Sequence, residues 1–437
     1  MRDRLDAIRG YADRPVLVAL AMAFASGLPL VLTGGTLTFW LAQEHVSKAT
    51  VGLFALVGWP YTWKWLWSPI LDRLPLPVLT GWLGRRRAWL LVSQTCLVVA
   101  LLGLGRSDPA QELGLTAFWA VMVAFASASQ DIVIDAYRAE TLTAGQLGPG
   151  SGAYLVGYRV GMLVAGAGAL YLAEWYGWGA AYTVMACLVL VGSLAALLHG
   201  EPAGSREATA GTKRDLAGWL RQAVAEPLAE FFRREGTSTA LLILLFVMLY
   251  KLGDAMLGAM LSPFYVEMGF QPSEIANVAK LWGFLATVLG GFLGGWVVKS
   301  RGVAPALWIC GLLQMLSNLV YVPQAWAGHD VHMLAVAIAV ENLAGGMGTA
   351  AFVAYLTSLC NREFTATQYA LLSSAMAQAR TVLAAASGSV AQSVGWIDFF
   401  LLSTLAALPG LALLWLLQRR PSRGLGAPAV LPQGEAA

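Results

Sequence analysis

Twelve long apolar stretches follow one another along the chain, separated by short polar connections. Each is close to the roughly 20 residues that a helix needs to cross the hydrocarbon core of a bilayer. We predict helices, because strands in lipid would leave backbone groups unpaired, and the alternating pattern of a transmembrane barrel is absent. The predicted spans are 16–41, 49–69, 88–105, 113–136, 151–173, 180–198, 239–262, 274–298, 304–325, 332–359, 367–393 and 398–418.

The composition indicates an all-α polytopic membrane protein. Apolar residues make up 58% of the 437 residues and charged residues 12%, about half the roughly 25% of soluble proteins. A soluble fold of this size cannot bury so much apolar surface. The net charge of +3 is too small to indicate a nucleic-acid partner. The four cysteines lack the paired spacing of disulfides or zinc sites, so neither a metal nor a cofactor is predicted.

The distribution of Lys and Arg predicts the orientation in the membrane. With the N-terminus inside, 21 of the 28 basic residues fall in cytoplasmic segments, two fall in outer loops and five lie within the spans. This asymmetry places both termini in the cytoplasm. The first span is too long for a signal-peptide core, and no cleavage site is evident after it, so we expect it to remain as a helix.

The longest connection divides the spans into six and six. Its second part, Lys213–Glu235, has apolar residues near helical spacing and predicts an amphipathic helix on the inner membrane surface. The predicted segments are a cytoplasmic N-terminus (1–15), an N-terminal six-helix bundle (16–199), a cytoplasmic linker with the amphipathic helix (200–238), a C-terminal six-helix bundle (239–418) and a disordered cytoplasmic tail (419–437).

Nine ionisable residues lie within the predicted spans. Each costs several kcal/mol in lipid unless it faces a cavity or a partner. Five are basic and four acidic, or three acidic if Asp135 lies at the inner surface, so a shared cavity would favour an anionic solute. The alternative for each is a structural ion pair, which is the expected role of Lys251 and Asp254 at i, i+3. The nine are Lys64, Asp131, Asp135, Arg159, Lys251, Asp254, Lys280, Glu341 and Arg380.

Aromatic residues and glycines add two weaker signals. Trp63 stands beside Lys64 in a Trp-rich run after Pro60, where it can stack on a sugar ring, although tryptophans at helix ends usually form interfacial belts. Glycines four residues apart, as in Gly157/Gly161, Gly290/Gly294 and Gly291/Gly295, let helices approach closely. Close approach serves sliding bundles and static packing equally.

Local strings resemble one family, the AmpG-type anhydromuropeptide permeases of Gram-negative bacteria, which belong to the major facilitator superfamily. The resemblance runs through both halves, over about residues 16–418. It rests on strings such as ASGLPLVLTGGTLTFW (25–40), KWLWSPILDR (64–73), SASQDIVIDA (127–136), LYKLGDA (249–255) and ENLAGGMGTAAFVA (341–354). The resemblance implies 12 transmembrane helices in two six-helix bundles. In this fold the third, sixth, ninth and twelfth helices face lipid, and those four spans carry none of the nine charges.

The resemblance also implies the activity. It points to proton-driven import of N-acetylglucosaminyl-1,6-anhydro-N-acetylmuramyl peptides across the bacterial inner membrane, for peptidoglycan recycling and signalling of β-lactamase induction. An acidic glycopeptide suits a basic cavity with aromatic rings. The DR…GRRR spacing resembles the superfamily's loop motif, which latches the two bundles. The expected latch residues are Asp72, Arg73, Arg85, Arg86, Arg138 and Arg301.

We predict alternating access by a monomer that is not an enzyme. The proton carrier must change protonation with burial and partner charge, which favours Asp131 and Glu341, with Asp254 third. The expected substrate-binding residues are Lys64, Trp63, Gln130, Tyr158, Arg159, Lys280, Asn342 and Arg380.

Two alternatives stay open. A transporter of the same fold could carry acetyl-CoA or another organic anion. A membrane-embedded transferase would need a concentrated catalytic loop, for which the only hint is His329-Asp330-Val331-His332 in a short outer loop. We interpret that segment as a solvated turn.

Overall fold

The computed structural model of the protein describes residues 12–143, 146–202, 226–360 and 365–419. Ten helices of this part are long and apolar enough to cross a bilayer, at 22 to 31 residues each. At 1.5 Å per residue they exceed the roughly 30 Å of hydrocarbon. They are α1 Arg14–Gln43, α3 Arg85–Arg106, α4 Leu113–Thr141, α5 Pro149–Tyr176, α6 Trp178–His199, α7 Thr237–Glu267, α8 Pro272–Arg301, α9 Val303–Ala327, α10 Val331–Leu359 and α12 Trp396–Gln418.

The other two predicted spans have a different character. The stretch predicted at 49–69, α2, is divided into the pieces Lys48–Leu53, Phe54–Gly58, Trp59–Trp63, Lys64–Leu66 and Ser68–Arg73, of which the second and fourth are 3₁₀ helices. The stretch predicted at 367–393 lies in one continuous helix, α11 Thr365–Val394, which is rich in Ala, Ser and Gln. The multi-pass helical class is therefore confirmed, while the count of twelve spans stays a prediction.

Two compact units divide the chain. Among the described residues, the first unit holds 12–47, 54–143, 146–202 and the segment Phe270–Ala276. In it, the backbone N–H of Ser273 donates to Glu174 at 2.6 Å. Its core around Met22 and Leu90 includes Val133, Ile134 and Tyr137, all less than 2% exposed.

The second unit holds Lys48–Leu53, 226–269 and the described residues from Asn277 onward. Lys48 pairs with Glu267 at 2.7 Å and lies 4.2 Å from the centre of the Trp396 ring. Its core includes a group of aromatic rings, in which Phe246 packs edge-on against Tyr355. The first piece of α2 thus packs with the C-terminal half of the chain, which the sequence boundaries did not predict.

The described part of the linker contains a helix, Glu226–Glu235. Phe231 is 2% exposed in the core of the second unit. Arg234 donates to the carbonyl oxygen of Leu359 at 2.5 Å, and Gln368 donates to Glu230 at 2.5 Å. This helix therefore docks on α10 and α11 through an apolar anchor instead of resting only on a membrane surface. The rest of the predicted amphipathic segment and the predicted tail after Arg419 lie outside the described residues.

Candidate functional site

A cavity of about 270 Å³ lies within the first unit. Four helices contribute to its wall, and the side chains combine one ammonium group, two carboxylates and three hydroxyls. The lining residues are Ser26 of α1, Lys64 of α2, Asp131 and Asp135 of α4, and Tyr154, Leu155 and Tyr158 of α5. Lys64 therefore shares one cavity with Asp131 and Asp135, from which it is far apart in the sequence.

Glycines bring α1 and α5 together beside this cavity. A Cβ atom at Gly27 would overlap the carbonyl oxygen of Tyr158, and one at Gly161 would overlap that of Phe24. Only hydrogen at these positions lets the two backbones come so close. The contact places Ser26, the neighbour of Gly27, and Tyr158, whose carbonyl group meets Gly27, on adjacent parts of the wall.

The carboxylates of α4 are held in different ways. Ser26 Oγ donates to Asp131 Oδ1 at 2.5 Å. Asp135 pairs with Arg138 at 3.5 Å, and the Arg138 guanidinium lies 4.2 Å from the centre of the Tyr154 ring. Tyr154 in turn stacks with Tyr158, with ring centroids 6.4 Å apart and planes 17° apart. The cavity thus has an aromatic wall and one carboxylate, Asp131, that is bound to a hydroxyl group.

The balance of charge in this cavity differs from the one expected for the full set of nine residues. Its lining carries one basic and two acidic side chains, and Arg138 compensates Asp135. The positive excess predicted for a shared path is therefore not a property of this cavity alone. The cationic group among the lining residues is that of Lys64.

In the second unit, two of the ionisable groups in the predicted spans form an ion pair, and a third is bonded to an amide. Lys251 Nζ lies 3.3 Å from Asp254 Oδ2 and donates to Thr349 Oγ1 at 2.8 Å. Glu341 accepts a bond from Asn342 Nδ2 at 2.7 Å, and Thr287 donates to Asn342 Oδ1 at 2.9 Å. The Lys251–Asp254 ion pair is the structural pair that the i, i+3 spacing predicts.

Several of the predicted substrate residues lie outside the cavity lining. Trp63 is 41% exposed and stacks with Trp65 at 6.1 Å. Gln130 is fully buried, with no hydrogen-bond partner for its side chain among the described residues. Arg159 is exposed on α5, Arg380 is exposed on α11, and Lys280 lies in a π-helical segment of α8, Ala276–Trp282. Sequence reasoning missed Ser26, because nothing near it in the chain marks a serine that bonds a residue 105 positions away.

Two of the predicted latch residues, Arg86 and Arg138, form ion pairs within the first unit. Arg86 binds Glu140, with Nη2 2.6 Å from Oε1. Glu201 accepts bonds from the backbone N–H groups of Arg86 and Arg87 at 2.8 and 3.1 Å, which caps the start of α3. Arg85 is 6% exposed, and Arg301 is exposed at the end of α8. The guanidinium group of Arg138 packs on the ring of Tyr154, which lines the cavity. The side chains of Asp72 and Arg73 lie outside the described residues, so a latch between bundles stays a prediction.

The His-Asp-Val-His segment is a helix cap. Asp330 Oδ1 accepts bonds from the backbone N–H groups of His332 and Met333 at 2.9 and 3.0 Å. These bonds, that of Met333 foremost, hold the pKa of the Asp330 carboxyl below its ordinary value. Among the described residues no three His, Cys, Asp or Glu side chains are grouped as metal ligands would be. The segment therefore has a structural explanation as the N-cap of α10.

Comparisons with known proteins agree with this architecture. The sequence pattern of the Major Facilitator Superfamily matches residues 17–327. A bacterial homologue of the human lysosomal transporter Spinster has the same fold, with a TM-score of 0.68 at 14% identity, covering 96% of this chain and 99% of that one. The D-xylose–proton symporter gives a TM-score of 0.66 at 14% identity, covering 95% and 99%. The chain belongs to the Major Facilitator Superfamily and is a multi-pass membrane transporter.

Relatives with similar sequences identify the family within this superfamily. The chain is 42% identical to the anhydromuropeptide permease of Escherichia coli K12 over 91% of its own length and 78% of the relative. It is 35% identical to the putative transporter AmpG 4 of Rickettsia felis, over 94% and 98%. The chain therefore belongs to the AmpG-type permease family, as its local strings predict. These relatives are transporters, so the protein is a permease and not an enzyme.

Proposed function

We propose that the protein imports 1,6-anhydromuropeptides from the periplasm to the cytoplasm by proton-driven alternating access. The observation that carries this proposal is the cavity of the first unit, which combines Lys64, a hydroxyl-bonded carboxylate and stacked tyrosines. It occurs in a chain that is 42% identical to a protein named anhydromuropeptide permease. A sugar–peptide ligand carries both the carboxylates and the ring faces that such groups bind.

Within this proposal, Lys64 binds a carboxylate of the stem peptide, and the Tyr154–Tyr158 wall packs against a sugar ring. Trp63 does not line the cavity, so the stacking role assigned to it from the sequence passes to the tyrosines. Lys280, Asn342 and Arg380 remain candidate ligand groups of the C-terminal half, and Gln130 and Arg159 remain candidates of the N-terminal half.

Proton binding and substrate binding would be coupled because Asp131 and a carboxylate of the substrate both interact with Lys64. In the empty cavity, the ammonium group of Lys64 favours the ionised form of Asp131, since both line the same space. A substrate carboxylate that binds Lys64 weakens the attraction between Lys64 and Asp131 and brings another negative charge close to Asp131. Asp131 therefore takes up a proton. Glu341 is the second candidate carrier. Asp254 ranks third because Lys251, 3.3 Å away, favours its ionised form.

The orientation belongs to the same proposal. The excess of Lys and Arg in one set of connections supports an inner-membrane protein with both termini in the cytoplasm. We propose that it works as a monomer, because each unit already has its own packed core.

Uptake by purified protein in proteoliposomes tests the proposal. Labelled anhydromuropeptide should accumulate unmodified when the outside is acidic, and a protonophore should abolish accumulation without stopping exchange. An unlabelled panel that includes acetyl-CoA identifies the substrate. If acetyl-CoA competes and anhydromuropeptides do not, the substrate assignment is wrong, and if accumulation ignores the protonophore, the proton coupling is wrong.

A further inference from the structure

Ser26 lines the cavity of the first unit and is hydrogen-bonded to Asp131. Its side chain lies on α1, is 2% exposed, and donates from Oγ to Asp131 Oδ1 at 2.5 Å. The distance is typical of a hydroxyl bonded to an ionised carboxylate. A buried hydroxyl in this geometry stabilises the charged form of its partner, because a protonated carboxyl oxygen accepts the bond less strongly.

The backbone around Ser26 leaves the hydroxyl little freedom to leave Asp131. Gly27, the next residue, presses against the carbonyl oxygen of Tyr158, and Phe24, two residues before, presses its own carbonyl oxygen against Gly161. These contacts hold α1 against α5 on both sides of Ser26. The donor is therefore carried by a rigid pair of helices and not by a mobile loop.

The other groups around Asp131 come from every helix of the cavity. Lys64 and Tyr61 face it from α2, Asp135 lies one turn further along α4, and Tyr154 and Tyr158 face it from α5. Arg138 compensates Asp135 at 3.5 Å. Lys64 is the group that a bound substrate would occupy, so its support for ionised Asp131 varies through a transport cycle, whereas the support from Ser26 on α1 is constant.

We propose that Ser26 is a positioning residue for proton coupling, whose hydroxyl holds the Asp131 carboxylate in its cavity-facing geometry and sets the pH at which that carboxylate takes the transported proton. The inference rests on the proposed role of Asp131 as a proton carrier. Without the hydroxyl, the ionised carboxylate would be less stable and the proton would bind at higher pH.

The test is the dependence of driven uptake on external pH for Ser26→Ala, Ser26→Thr and the wild type. Since a hydrogen bond to a charged group is worth about one to two pH units of proton affinity, Ser26→Ala should move the alkaline midpoint of uptake upward by about one pH unit. Ser26→Thr keeps a hydroxyl and should restore the wild-type midpoint. Ser387→Ala is the matched control, because that buried serine donates to the Leu383 carbonyl of its own helix and should leave the midpoint unchanged.

Two results separate this inference from the proposed function. If Asp131→Asn loses driven uptake but Ser26→Ala keeps the wild-type midpoint, Ser26 has no positioning role and the inference is wrong. If Asp131→Asn retains driven uptake, the proton assignment itself fails. Solute exchange at fixed pH shows that each variant is folded. If threonine is too large for the site, Ser26→Cys is the substitute, because cysteine is similar in size to serine and a weaker donor. Its midpoint should lie between those of Ser26→Ala and the wild type. If both Ser26→Cys and Ser26→Ala keep the wild-type midpoint, the inference is wrong.

Discussion

In the first unit, Lys64, Asp131 and Tyr158 line a common cavity, whereas in the second unit Lys251 is bound to Asp254 and Thr349. The two regions carry similar residue types on membrane helices, but they use them differently. Ionisable groups that face an open space can exchange partners with a ligand or a proton. Groups that are bound to each other mainly fix the positions of their helices.

The packing of the helices also differs between the two units. In the first unit, glycines bring α1 against α5, and the cavity lies beside that contact. In the second unit, the glycines bring α8 against α10 instead, where a Cβ at Gly290 would overlap the Leu343 carbonyl oxygen. If the halves were simple copies, the counterpart of α1 and α5 would be α7 and α11. The close glycine contact thus falls on different helix pairs in the two units.

Asp131 and Asp254 give the most direct test of this difference between the two units. Asp131→Asn should abolish uptake driven by a pH gradient while sparing solute exchange, because an amide cannot carry the proton. The Asp254→Asn change should leave driven uptake largely in place, since that carboxylate is paired with Lys251 at 3.3 Å. Uptake and exchange in the same proteoliposomes measure both. Driven uptake that survives in Asp131→Asn would contradict the proton role of Asp131, and a loss in Asp254→Asn alone would assign that role to the second unit.

The lysines give the next largest contrast. Lys64→Met should raise the KM for uptake about tenfold or more, since a lost hydrogen bond to a charged ligand costs about 1.5–3 kcal/mol. Lys251→Met should leave KM nearly unchanged but destabilise the protein by about 1–3 kcal/mol, because it leaves Asp254 without its cation. The lower end is expected, as the two side chains keep 18% and 25% exposure.

A double variant tests whether the instability of Lys251→Met comes from the unpaired Asp254 carboxylate. Adding Asp254→Asn to Lys251→Met removes the uncompensated carboxylate and should recover much of the lost thermal stability. Thermal unfolding in detergent is the measurement. A KM effect for Lys251→Met as large as that for Lys64→Met would show that the second unit also contacts the substrate through this lysine.

The glycine contacts predict a difference between adjacent residues of α8. Gly290→Ala should lower the unfolding temperature, since overpacking against a backbone carbonyl costs about 1–3 kcal/mol. Gly291→Ala is the matched control, because a Cβ there meets nothing within 4 Å, and it should be neutral or slightly stabilising. Equal effects at the two positions would mean that α8 and α10 are not packed through this face.

The sequence was informative where the physics is local. Span length and hydropathy predict the ten long helices. The cost of burying charge selects Lys64 and Asp131, which line the cavity, but it also selects Arg159 and Arg380, which are exposed. Glycine spacing correctly marks Gly157/Gly161 and Gly290/Gly294 as contact positions, but it cannot tell that Gly291 and Gly295 face open space. That distinction depends on which helix lies opposite.

Two features of the site needed the tertiary structure. Trp63 was expected near the ligand because it precedes Lys64, but the chain changes to a 3₁₀ helix at Lys64–Leu66. Adjacent residues point about 100° apart in an α-helix and about 120° apart in a 3₁₀ helix, so adjacency in the sequence does not place two side chains on one face. The Ser26–Asp131 bond joins two helices that are distant in sequence, and hydrophobic periodicity carries no information about such a pair.

The smallest predicted effect concerns the aromatic wall, and it tests whether the first unit binds the sugar. Tyr158→Leu should raise the KM for anhydromuropeptide about two- to tenfold, because stacking on an aromatic ring is worth about 0.5–1.5 kcal/mol. Trp63→Leu is the matched control, since Trp63 stacks with Trp65 outside the cavity, and it should leave KM unchanged. A free stem peptide without the disaccharide should compete equally well against both variants. If Trp63→Leu has the larger effect on KM, the sugar binds at the tryptophan run of α2, and the tyrosines of α5 serve only to orient Arg138.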